Sequence, residues 1–208
     1  MSWAEFDADR LRMLAARMSP DGIAGGNGDH ILNPEFLVRL NGSPLREAAV
    51  LIPVVDRPDG AGVILTKRAQ ALRKHSGQIS FPGGAIDPED GSPEAAAIRE
   101  AYEEIGLQAE AIETLARLPT YLAGTGFLIT PVLALVRPDY VLTINPAEVD
   151  LAFEVPFSFL MDSTNYQSDS RVWNDKEHFF YTITYQEYRI WGITAGILRV
   201  LSERLHVD

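Results

Sequence analysis

The chain has 208 residues, enough for one sizeable core, and its 46% hydrophobic and 23% charged residues are ordinary for a folded protein. A formal net charge of -11 argues against nucleic acid or an anionic membrane as partner, because both require basic surface. The absence of cysteine excludes disulfides, zinc–thiolate sites and a catalytic thiol.

No apolar run approaches the roughly 20 residues of a membrane span, and Glu5, Asp7 and Asp9 make the start of the chain unlike a signal peptide, so a cytoplasmic location is expected. Phe6, Leu11, Leu14, Ala15 and Met18 fall at near-helical spacing and predict a docking helix over Phe6 to Met18. Ser19-Pro20 ends it, and Gly22 to Asp29 reads as a flexible linker rather than a phosphate loop, since no Gly-Lys-Ser/Thr follows. Residues 1–45 are thus expected to form a helix and loop that pack on a domain spanning 46–208.

Ala48 to Val55 and Gly62 to Lys67 are apolar, β-branched runs around Asp56-Arg57-Pro58-Asp59-Gly60, a predicted hairpin. Arg68, Arg73, Lys74 and His75 follow, a basic cluster that suits either a phosphorylated substrate or plain surface charge.

The stretch Ser76 to Leu107 is the most informative. Phe81-Pro82-Gly83-Gly84 forms a turn, and an acidic loop leads into a helix with Ser92 as cap, Pro93 at its first position and Gly106 as its stop. Glu100, Glu103 and Glu104 share one face at i, i+3 and i+4, with Arg99 beside them. Like charges so spaced cost roughly 0.2–0.5 kcal/mol per pair. They suit either a solvated face or a divalent cation; carboxylate oxygens favour Mg²⁺ or Mn²⁺.

Strands are predicted over Leu115 to Leu118, Phe127 to Val136, a short Val141 to Ile144, and Val149 to Val155, the last just after Glu148. Pro156 to Leu160 reads as a short helical turn, and Met161 to Asn174 as an exposed loop bordering a pocket. Glu177 to Thr184 and Glu187 to Trp191 form an aromatic hairpin, in which Phe179, Tyr181 and Tyr185 line a pocket or pack as core. Ile193 to Leu205 closes the chain as an amphipathic helix. The amino-terminal helix and the aromatic hairpin offer surfaces for a homodimer.

Gly84, the acidic loop and Arg99-Glu100-Ala101-Tyr102-Glu103-Glu104-Ile105-Gly106-Leu107 resemble the Nudix box, a glycine and a spaced acid followed by R-E-U-x-E-E-x-G-U with U aliphatic. The loop is one residue longer than in that pattern, which puts Gly91 at the early glutamate and leaves Asp90 as its substitute. Upstream, Ile64-Leu65-Thr66-Lys67-Arg68, Arg73, Gly77 and Phe81 to Gly84 resemble the motif of the coenzyme A pyrophosphatase branch, with Ala69 in place of a serine. Leu118-Pro119, Thr125-Gly126-Phe127, Thr130-Pro131-Val132, Asn145, Glu148-Val149 and Trp191 to Ala195 extend the likeness over about residues 45 to 205.

The resemblance implies an α+β Nudix fold, a mixed β-sheet sandwiched between helices, and metal-dependent hydrolysis of coenzyme A or its thioesters to 3',5'-ADP and 4'-phosphopantetheine. Mg²⁺ or Mn²⁺ would be held by Glu100, Glu103 and Glu104. Arg99 would position those carboxylates, and Glu103 or Glu148 would act as general base. Arg68, Arg73, Gly77, Phe81, Gly83 and Gly84 would bind substrate. Isopentenyl diphosphate isomerization is disfavoured by the lack of cysteine. Hydrolysis of another nucleoside diphosphate derivative such as ADP-ribose or a dinucleotide, and a non-catalytic nucleotide sensor, are the alternatives.

Overall fold

Strands whose apolar residues point to both faces need cover on both sides, and the fold supplies it. A computed structural model describes residues 7–18, 26–72, 75–173 and 175–206. Helix α1 (Ala8–Ala15), the two-residue strand β1 (Asn27–Gly28) and helix α2 (Glu35–Leu40) come first. Strands β2 (Arg46–Val55), β3 (Gly62–Arg68), β4 (Ile79–Ser80) and β5 (Gly83–Ala85) lead to helix α3 (Pro93–Ile105). Then follow β6 (Ile112–Arg117), β7 (Tyr121–Leu122), β8 (Phe127–Val136), β9 (Val149–Pro156) and helix α4 (Phe157–Met161). A second sheet, β10 (Gln167–Trp173), β11 (Lys176–Tyr185) and β12 (Tyr188–Trp191), precedes the closing helix α5 (Ile193–Leu205).

Among the described residues the large sheet has nine strands and is mixed. Its spine is β2 and β8, parallel in continuous register from Arg46↔Phe127 to Val55↔Val136. The other edge of β2 is divided: Val54 and Val55 pair with β3, whereas Ala48 to Val50 pair with β5. The predicted hairpin therefore exists but is paired only at its base. The strands diverge beyond it, and the glycine turn enters the gap.

Alternation decides which face each residue covers. Ala49, Leu51, Val55, Val132, Ala134 and Val136 meet Ala96, Ala97, Ala101 and Ile105 of α3. Ala48, Ile52, Val54, Leu133 and Leu135 join the opposite core with Ile197, Leu198, Leu201 and Leu205 of α5, and with Leu11 and Ala15 of α1. This is the expected α+β fold, a mixed sheet with helices on both faces.

Three expectations are corrected. Val141 to Ile144 joins no strand; instead Thr143 and Asn145 donate backbone hydrogen bonds to the carbonyls of Ile105 (2.8 Å) and Glu104 (2.9 Å), so that segment caps the end of α3. Within Met161 to Asn174, Gln167–Trp173 is a strand, paired with β11 from Gln167↔Thr182 to Trp173↔Lys176. It reads as loop because an edge strand with largely exposed side chains lacks an apolar stripe. The supposed linker is anchored at its end: Asn27 and Gly28 pair with β7, and the Asp29 carboxylate accepts from Tyr121 Oη and Gly124 N–H, both 2.8 Å away. The earlier part of that linker, through residue 25, lies outside the described residues. So does Phe6, at the start of the predicted first helix.

Candidate active site

Helix α3 owes its limits to local chemistry. Ser92 Oγ accepts from the Ala95 N–H at 3.1 Å, Pro93 occupies the first turn, and Gly106 ends the helix at φ 69°. Its alanines allow close approach to the sheet, and an ion pair from Arg117 of β6 to Glu94 secures its first turn. The charged side of the helix thus has a fixed position.

On that side the carboxylates divide into two environments. Arg99 Nε and Nη2 donate to the two Asp90 oxygens at 2.8 and 3.0 Å, Nη1 donates to Glu100 (3.0 Å) and Glu103 (3.1 Å), and Nη2 also donates to the Ala85 carbonyl (3.1 Å). The Arg99 guanidinium hydrogen bonds hold the Asp90 carboxyl below its ordinary range. Glu103, 49% exposed at its side chain, turns outward to this arginine.

Glu104 is different. Its side chain is 3% exposed, its nearest cation is Arg68 Nη1 at 3.8 Å, and its Oε2 is buried without a hydrogen-bond partner, as is Nε of Arg68. Burial pushes the Glu104 carboxyl up to about 8; Arg68 and the Gly83 N–H pull it down, while Glu100 and Glu148 push it further up. Burial likewise raises Glu100, with Glu103 and Glu148 adding to the rise and Arg99 opposing it. Glu148 thus acts electrostatically on the same carboxylate pair. Its loop is tied there by Asn145, whose N–H bonds the Glu104 carbonyl and whose side-chain amide donates to Glu148 Oε1 at 3.2 Å.

The turn before the helix makes room for these groups. A Cβ on Gly84 would lie 2.5 Å from the Glu100 carboxylate, and one on Gly83 would lie 2.4 Å from the Ala49 carbonyl at a backbone φ of 154°. Gly77 donates its N–H to the Arg68 carbonyl (3.0 Å) and so closes the loop after β3. Phe81 is buried in the core and lines a cavity. Arg73 and Lys74 lie outside the described residues.

Among the described residues no three acidic or imidazole side chains converge into a complete metal cage. The site nevertheless fits a divalent cation, because Glu104 Oε2 is an orphaned buried carboxylate oxygen one helical turn from Glu100. Mg²⁺ characteristically takes only one or two carboxylates and completes its shell with waters and substrate phosphates.

The cavity occupies about 770 Å³ between the large sheet and the three-stranded sheet. Arg68, Gly83 and Gly84 line it, together with Phe36 and Arg39 of α2 and Arg171, Trp173, His178 and Phe179 of the second sheet. Of the aromatic hairpin residues, Phe179 thus borders the cavity, whereas Tyr185 packs on Phe159. The segment Met161 to Asn174, expected to border a pocket, does so through Arg171 and Trp173, although as a strand. Sequence reading singled out none of Phe36, Arg39, Arg171, Trp173 and His178 individually; for α2 the signal is Asn33-Pro34-Glu35, a helix-start pattern too short to stand out.

A glycine turn feeding an acidic helix on a mixed sheet is the arrangement of a Nudix-type hydrolase domain. A profile of the NUDIX domain matches residues 45–184. The chain is 43% identical over 157 residues to a Cronobacter sakazakii protein named "Uncharacterized Nudix hydrolase NudL", covering 76% of this chain and 81% of that one. It is 40% identical over 162 residues to its Escherichia coli K12 namesake, covering 78% and 84%. Among solved structures it is similar to RenU, a Nudix hydrolase from M. smegmatis, with 29% identity, a TM-score of 0.45 and coverage of 54% and 71%. The chain belongs to the Nudix hydrolase family and is an enzyme of that family.

Proposed function

We propose that this Nudix hydrolase cleaves the diphosphate bond of a nucleoside diphosphate derivative, with coenzyme A or its thioesters as substrate. The observation that carries the reading is the buried, unpartnered Glu104 oxygen close to Arg68, with Glu100 against Gly84, Arg68 and the Gly83-Gly84 turn themselves lining the cavity. The choice of coenzyme A rests on the motif from Ile64 to Gly84 and is supported by a cavity whose walls are largely apolar and aromatic.

Glu100 and Glu104 would hold Mg²⁺ or Mn²⁺, which when bound supplies charge neutralization and water activation. Arg68, lacking a close carboxylate partner, binds diphosphate oxygens, and the two glycines let the backbone approach them. Arg99 does not touch substrate; it fixes Glu100 and Glu103. Glu148 takes the proton of the attacking water, since it is within electrostatic reach of both Glu100 and Glu104 whereas Glu103 turns to Arg99. Water adds to phosphorus, the bridging P–O bond breaks, and coenzyme A yields 3',5'-ADP and 4'-phosphopantetheine.

The test is chromatography of products from coenzyme A, ADP-ribose and a dinucleoside polyphosphate, each with and without Mg²⁺ or Mn²⁺. Metal-dependent release of 3',5'-ADP from coenzyme A in preference to the others supports the full reading. Cleavage of another substrate instead removes coenzyme A. Binding without any cleavage replaces the enzyme reading of this site with a nucleotide sensor.

A further inference from the structure

The cavity carries the opposite charge to the protein around it. In a chain of net charge -11, the charged side chains along its wall among the described residues are three arginines, Arg39, Arg68 and Arg171, and one carboxylate, Asp29. Asp29 is already bonded to Tyr121 and Gly124, and burial raises its carboxyl toward the neutral form. Arg68 belongs with the diphosphate; the other two arginines stand elsewhere, and the site described above gives them no task.

Their surroundings are mutually consistent. Arg171 lies directly across the β10–β11 ladder from His178, and Trp173 follows two residues later, so all three side chains share one face of the second sheet. Helix α2 meets that face: Phe36 stacks on His178 with ring centroids 5.1 Å apart, and the Arg39 guanidinium lies over Phe36 (4.5 Å) and toward Trp173 (5.6 Å). Arg39 donates to the Gly124 carbonyl and interacts electrostatically with the Asp29 carboxyl, and Glu35 Oε1 lies 3.3 Å from His178 Nδ1; Arg171 stands in no ion pair among the described residues. Two guanidiniums beside half-exposed Trp173, neither of them in an ion pair within 4 Å among the described residues, suit an anion attached to an aromatic base.

We infer that Arg39 and Arg171, both beside Trp173, form a second anion-binding locus that takes a phosphate monoester on the nucleoside, separate from the diphosphate. The inference rests on the proposed diphosphate reading and narrows its substrate class to nucleotides phosphorylated on the sugar. It gives the chain a means of distinguishing coenzyme A from its dephosphorylated form.

Calorimetric binding of adenosine 3',5'-bisphosphate and adenosine 5'-monophosphate, with Mg²⁺ present, tests it without turnover. The wild-type protein should bind the bisphosphate about tenfold or more tightly, and Arg39→Gln with Arg171→Gln should bring the ratio near one. Equal affinities in the wild type, or a preference that survives both substitutions, would overturn the locus. Should the double variant fail to fold, Arg171→Gln alone carries the test, since that side chain is exposed on an edge strand. Coenzyme A turnover is measured in parallel. An arginine-dependent preference without cleavage keeps the locus and removes the diphosphate reading, whereas cleavage without preference does the reverse.

Discussion

Arg99 and Arg68 both face carboxylates of α3, yet their situations are opposite. Arg99 is saturated: Asp90, Glu100, Glu103 and the Ala85 carbonyl all accept from it within 3.1 Å. Arg68 comes only within 3.8 Å of Glu104, and each retains a buried polar atom without a partner. A buried orphan costs roughly 1–3 kcal/mol, so the second arrangement is retained against stability. Under the proposed function, the first arginine builds the site and the second serves what enters it.

The largest expected effect separates these roles. Glu104→Gln should keep the fold, unchanged by circular dichroism, yet lose about a hundredfold or more in metal-dependent turnover. Turnover equal to wild type in that variant would erase the contrast. Arg99→Ala should reduce both properties, costing about 2–3 kcal/mol in urea unfolding and about tenfold or more in activity, because it frees three hydrogen-bonded carboxylates, Asp90, Glu100 and Glu103, at once. Arg99→Lys should restore little, since an ammonium does not reproduce the two-point contact to Asp90.

A pH series sharpens the comparison further. Glu104 is raised to about 8 from its ordinary 4.5, so in metal-free protein the folded state keeps a proton that the unfolded chain releases. This contribution is fully present below about pH 4.5 and is lost as pH rises through about 8. Urea unfolding at pH 5 and pH 8 with chelator should therefore show a loss in wild type that Glu104→Gln lacks. Identical slopes would place the raised carboxyl elsewhere. The smallest effect concerns the base: Glu148→Gln should slow turnover about tenfold or more and Glu103→Gln only a fewfold, compared at saturating Mg²⁺. The reverse order would return the proton to Glu103.

How much was legible follows from the range of the interactions. Ser92, Pro93 and Gly106 act within a few residues, so the limits of α3 can be read directly from sequence. The long strands β2 and β8 declare themselves by sustained apolar runs. Edge strand β10 does not, because its residues alternate without an apolar face. In the candidate site, helical spacing places Glu100, Glu103 and Glu104 together, but their division between Arg99 and Arg68 depends on where β3 and the Asp90 loop meet the helix. Arg39 and Arg171 are beyond any local pattern, since α2 and β10 converge only through the tertiary fold.

Mn²⁺ titration calorimetry at pH 7 in buffers of different ionization enthalpy tests the central claim most directly. If Glu104 is the raised carboxyl and a metal-holding group, binding should release close to one proton in wild type, and in Glu104→Gln both affinity and proton release should collapse. Mn²⁺ binding that is unchanged in that variant, with the same proton release, would contradict the assignment.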